Sequence, residues 1–65
     1  MRIDLNGTGT ETGAATLAEL IAAMEVDAAS VATAVDGQFV PLGLRDATRL
    51  QEGSRVEVLS PMQGG

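Results

Sequence analysis

The chain has 65 residues, with nine Asp and Glu against four Arg for a net charge of −5, and contains no Cys, His, Lys, Trp or Tyr. One domain of this size buries only roughly 60% of its unfolded surface; no disulfide can staple it and no thiolate can hold a metal. The acidic balance repels phosphate backbones and argues against nucleic acid, while suiting solubility or steering toward a basic patch on a partner.

Residues 2–6, Arg-Ile-Asp-Leu-Asn, alternate polar and apolar, the period of a half-buried strand with Ile3 and Leu5 toward the core. This opening lacks the apolar h-region of a secretory signal, and no apolar run reaches membrane-spanning length, so a cytoplasmic location is expected. Asn6-Gly7 is a tight-turn signal because both residues tolerate positive φ. Residues 8–13 are the expected return strand, weakened by Gly9 and Gly13.

Residues 16–25 form the clearest helix. Leu17, Leu20, Ile21 and Met24 recur at i, i+3, i+4 and i+7 and make one apolar stripe, read as core. Thr16 and Glu19 fit a capping box, each side chain satisfying the other's backbone N–H. Residues 31–35 predict a strand, Asp36-Gly37 a second hairpin turn, and Gln38-Phe39-Val40 its return, stopped by Pro41. Residues 42–50 have mixed polarity and predict a turn with a short helical piece. After a turn at Glu52-Gly53, residues 54–59 alternate as a last strand with Val56 and Val58 inward. That alternation puts Leu59 on the outer face; with Phe39 or Pro61 nearby it could seed a docking patch. Arg45, Arg49 and Arg55 are expected to be solvated surface charges.

Two hairpins around one helix give an α+β fold: a mixed sheet of four to five strands, one main helix on one face, and the first and last strands side by side at its centre. The domain is expected to span 1–60, leaving 61–65 as a flexible tail. Pro61 lacks a ladder donor, and the four residues beyond it reach about 13 Å when extended. Gly64 and Gly65 have no Cβ, so their backbone threads a narrow slot and leaves the final carbonyl uncrowded.

A terminal carboxylate is ionised at neutral pH and is a poor electrophile until activated. Transfer to the α-phosphate of ATP would give an acyl-adenylate, from which a sulfur nucleophile displaces AMP to leave a thiocarboxylate. The chain has no Cys nucleophile, no His base and no phosphate loop, since Gly7-Thr8-Gly9 leads into no Lys. The scattered carboxylates lack a metal-loop spacing. No catalytic residue and no metal site are therefore expected, and the tools for this chemistry must come from partners.

The chain resembles the ThiS family of sulfur carrier proteins along essentially its whole length. Residues 3–7, Ile-Asp-Leu-Asn-Gly, are similar to the family's opening strand and turn, and residues 35–41, Val-Asp-Gly-Gln-Phe-Val-Pro, to its central hairpin. Residues 52–58, Glu-Gly-Ser-Arg-Val-Glu-Val, are similar to its last turn and strand, and Gly64-Gly65 matches its end. It departs from the family's usual residues at Asp36, Leu42, Ser54, Met62 and Gln63. The resemblance implies a ubiquitin-like β-grasp fold and a carrier that is not an enzyme. A ThiF-type adenylating enzyme would activate Gly65 with ATP and magnesium, and this chain would bind no cofactor of its own. A sulfur-relay protein would supply a persulfide, and thiazole synthase would take the sulfur for thiamin. Gly64, Gln63 and Met62 would thread the partners' active sites, and the free protein would be a monomer. The competing readings are a molybdopterin-synthase small subunit, disfavoured by the short length, a conjugated protein modifier, and a plain interaction domain.

Overall fold

The computed structural model describes residues 1–60. Strand β1 (Arg2–Leu5) turns back through Asn6 and Gly7 into β2 (Thr8–Glu11). Asn6 sits at φ 52° and Gly7 at φ 86°. Positive φ at both central residues is what a type I′ hairpin demands, and its twist matches that of the flanking strands. Asp36 at 52° and Gly37 at 85° repeat the solution between β3 (Ala32–Val35) and β4 (Gln38–Val40). Strand β5 (Arg55–Leu59) completes a five-stranded sheet ordered β2-β1-β5-β3-β4. Its neighbours are parallel β1, through Asp4↔Arg55 and Leu5↔Val56, and antiparallel β3, from Ala32↔Leu59 to Val35↔Val56.

Strand boundaries fall slightly inside the sequence expectation. Strand β2 stops at Glu11, not residue 13, because the Thr12 hydroxyl accepts from the Ala14 N–H at 3.0 Å and bends the chain. Strand β3 starts at Ala32 and not at residue 31, the Val31 carbonyl being taken by a side chain described below. Strand β5 starts at Arg55 because the Ser54 hydroxyl closes the preceding turn, accepting from the Gln51 N–H at 2.9 Å.

Helix α1 (Leu17–Met24) lies across one face of this sheet, with Thr16 and Glu25 as its caps. The Thr16 hydroxyl accepts from the Glu19 N–H at 3.2 Å, as a capping box requires, but the Glu19 carboxylate reaches one residue further back, to the Ala15 N–H at 2.7 Å. The first helical N–H groups are satisfied from elsewhere in the fold. Leu17 donates to the Thr48 carbonyl at 2.9 Å and Ala18 to the Arg45 carbonyl at 3.2 Å. Leu17, Leu20 and Ile21 are buried, and Met24 packs half-buried against them. With Ile3, Val40, Leu50, Val56 and Val58 they make one core, each large aliphatic residue contributing about 1.5–3 kcal/mol on burial.

Arg45 corrects the expectation of three solvated arginines. It is only 3% exposed, whereas Arg49 and Arg55 do lie at the surface. Its guanidinium donates to the Ala28 carbonyl at 2.9 Å, the Val31 carbonyl at 2.8 Å and the Thr33 hydroxyl at 3.1 Å. The buried Thr33 hydroxyl passes the chain on, donating to the Val40 carbonyl at 2.7 Å. No carboxylate pairs with Arg45 among the described residues; neutral acceptors in a rigid fork satisfy it instead. One side chain therefore ties the turn after Pro41 to the α1–β3 connection, a contact between distant segments that no local period reveals.

Candidate functional site

The helix covers only one face of the sheet. Strand alternation sends Val56 and Val58 under α1, and Arg55, Glu57 and Leu59 to the opposite side. Register then decides what stands beside Leu59. Ala32 pairs with Leu59, and Ala34 pairs with both Glu57 and Phe39, so these residues share the open face. Phe39 is 69% exposed and Leu59 61% exposed, and together they line one shallow hollow of about 130 Å³ floored by Ala32 and Ala34. On its other side Phe39 borders a wider depression of about 520 Å³ that includes Leu44 and Thr48, with Asp36 at its rim. Exposed apolar residues are ordinary singly. A contiguous group rimmed by carboxylates is the form a docking surface takes.

Strand β5 ends on this open face, at Leu59. The β1 side of that strand end is closed by a side chain. Asn6 donates its own N–H to the Val56 carbonyl at 2.9 Å, and then β1 turns away. Its side chain takes over the ladder: Oδ1 accepts from the Val58 N–H at 2.9 Å, and Nδ2 donates to the Val58 carbonyl at 3.1 Å. The Asn6-Gly7 signature accounts for the turn alone; the bond across 52 residues depends on the parallel β1–β5 register, to which local sequence is blind.

Of the residues singled out from sequence, Phe39 and Leu59 come together. Pro61, Met62, Gln63, Gly64 and Gly65, the whole of the expected tail, lie outside the described residues. Among the described residues no group of three or more acidic, His or Cys side chains could hold a metal ion. A polar hollow of about 330 Å³ between the two hairpin turns, lined by Asp4, Arg55 and Glu57, brings together no nucleophile and base. No helix among the described residues is long and apolar enough to cross a membrane.

A mixed sheet with a hairpin at either side, its first and last strands parallel and adjacent, and one helix across one face defines a ubiquitin-like β-grasp protein. Comparison with known proteins carries this further. The ThiS family model matches residues 3–65. A crystal structure of the thiamine biosynthesis protein ThiS from Geobacter metallireducens superimposes with a TM-score of 0.83 at 32% identity, covering 100% of both chains. A solution structure of a thiamine biosynthesis protein from the same organism gives 0.80 at 33% identity, covering 100% of this chain and 88% of that one. No curated protein sequence gives a match of comparable significance. The chain belongs to the ThiS family.

Proposed function

We propose that this protein is a sulfur carrier, not a catalyst, and that the C-terminal carboxylate of Gly65 is the group that carries the sulfur. The observation that supports it most is the family match over residues 3–65, which takes in the Gly64-Gly65 pair as well as the folded body. The chain's own chemistry agrees: it offers an ionised carboxylate without a neighbouring Cβ, and no Cys or His to act on it.

In the first step a carboxylate oxygen attacks the α-phosphate of ATP, the bond to the β-phosphate side breaks, and pyrophosphate leaves. A ThiF-type partner holds the nucleotide and magnesium. In the second, the terminal sulfur of a relay protein's persulfide attacks the acyl carbon and AMP departs with the electron pair. A relay thiol then cleaves the resulting S–S bond, freeing the thiocarboxylate and leaving the relay oxidised as a disulfide. Thiazole synthase consumes the sulfur in forming the thiamin thiazole. Met62, Gln63 and Gly64 are the residues that enter the partners' channels. Phe39 and Leu59 form the surface on which the activating partner docks, and Pro61, two positions beyond Leu59 in sequence, is assigned to the same contact. With Glu57 and Asp36 beside them, they call for an apolar pocket edged with Arg or Lys.

The test uses the chain ending at Gly65, a ThiF-type enzyme, ATP, magnesium and a persulfide donor, read by intact mass. Gly65→Ala and deletion of Gly65 are expected to abolish conversion while leaving the thermal transition of the body in place. Unimpaired conversion in both variants contradicts the assignment of the carrier group. Supplying the loaded protein to thiazole synthase, and separately to the large subunit of molybdopterin synthase, separates the two sulfur destinations.

A further inference from the structure

Strand β5 is held unequally along its length. At Val56 it has main-chain neighbours on both sides, Leu5 of β1 and Val35 of β3. At Val58 only β3 supplies a strand partner, Thr33. The other side is occupied by the Asn6 amide, which both accepts from the Val58 N–H and donates to the Val58 carbonyl. An Asn side chain carries the same donor and acceptor as a peptide unit, so Asn6 adds one more rung to the parallel ladder after its own backbone has turned into the hairpin. Val58 is thus the last point at which the strand is fixed from both sides, and Leu59 alone separates it from Ser60, the last described residue.

We infer that Asn6 is a positioning residue for the reaction at Gly65: by holding the Val58 peptide it fixes the end of β5, the point from which the chain continues toward Gly65. The inference rests on the sulfur-carrier reading. Five residues beyond Ser60 span at most about 17 Å, so the position of the end of β5 bounds where the carboxylate of Gly65 can reach. Displacement of about 1 Å at a reacting atom costs up to roughly a hundredfold in rate. A surface on the body that docks normally while the carboxylate is misplaced lowers turnover, not affinity.

Two substitutions separate this role from that of the turn. Asn6→Gly keeps positive φ free of strain and preserves the I′ hairpin, since Gly-Gly suits it, but removes the side chain. Asn6→Asp keeps an oxygen to accept from the Val58 N–H while losing the donor to its carbonyl. Amide exchange at Val58, followed by NMR on the full chain, is expected to accelerate about tenfold in Asn6→Gly, the equivalent of one net hydrogen bond, and by less in Asn6→Asp. Pyrophosphate release with the activating enzyme is expected to show kcat reduced several-fold in Asn6→Gly with KM near that of the wild type, and Asn6→Asp in between. Unchanged exchange at Val58 overturns the inference. So does an unchanged kcat with KM raised in proportion to the unfolded fraction, the result of lost stability alone. A wild-type chain that is never adenylated overturns the positioning role together with the proposed function. That failure is told apart from the others because it removes the signal from every variant, while Val58 exchange still reports whether Asn6 holds the strand.

Discussion

The two faces of the sheet are made by the same strands and differ in almost everything else. On the covered face Ile3, Val56 and Val58 meet Leu17, Leu20 and Ile21 and are sealed from water. On the open face the chain's sole aromatic residue, Phe39, stands 69% exposed beside Leu59. A buried Phe removes 150–250 Å² from water and would be among the largest contributors to so small a core. With Phe39 outside, beside a second large apolar residue, the covered face carries the core alone, and the open face is left for the docking role proposed above.

The largest effect is expected at the covered face. Leu17→Ala, at a position 0% exposed, is expected to lose about 2–5 kcal/mol by chemical denaturation. That is a large share of a typical stability of about 5–15 kcal/mol. A loss under about 1 kcal/mol would mean that α1 is not the lid of the core.

Arg45→Ala ranks next, at about 2–4 kcal/mol, because it strands the carbonyls of Ala28 and Val31 and the hydroxyl of Thr33. Arg49→Ala and Arg55→Ala serve as surface controls and should stay within about 0.5 kcal/mol. Equal Tm values for all three variants would remove the buried fork from the account.

The open face should respond in the opposite sense. Phe39→Ala and Leu59→Ala are expected to move stability by no more than about 0.5 kcal/mol, yet to weaken capture by the activating enzyme by about 1–3 kcal/mol in kcat/KM. Loss of folding with unimpaired activation would reverse the roles of the two faces. The smallest effect is expected at the second hairpin. Asp36→Asn keeps a side chain tolerant of φ 52° and an oxygen to accept from the Arg55 N–H, so a shift within about 0.5 kcal/mol is expected in thermal melts.

Where local chemistry determines structure, the sequence was readable. Asn-Gly and Asp-Gly place both hairpins, the i, i+3, i+4, i+7 stripe places α1, and alternation at residues 54–59 assigns Val56, Val58 and Leu59 to their faces. That Phe39 stands beside Leu59 follows only from the β3 register, because both strands must be paired before their outer residues meet. Arg45 was misread for the same reason: its acceptors at Ala28, Val31 and Thr33 are distant in sequence, and a lone Arg in a polar stretch carries no local mark of burial. Asn6 was half legible, its backbone role written in the dipeptide and its side-chain role set by a strand 52 residues away.

On the proposed function, a folded body without Cys or His presents Gly65 to other proteins' active sites. Intact mass spectrometry after incubation with the activating enzyme, ATP, magnesium and a persulfide donor tests it most directly. The expected result is a gain equal to one sulfur in place of one oxygen, localised by fragmentation to Gly65. An unchanged mass, under conditions in which a ThiS protein of demonstrated activity is converted, would contradict it.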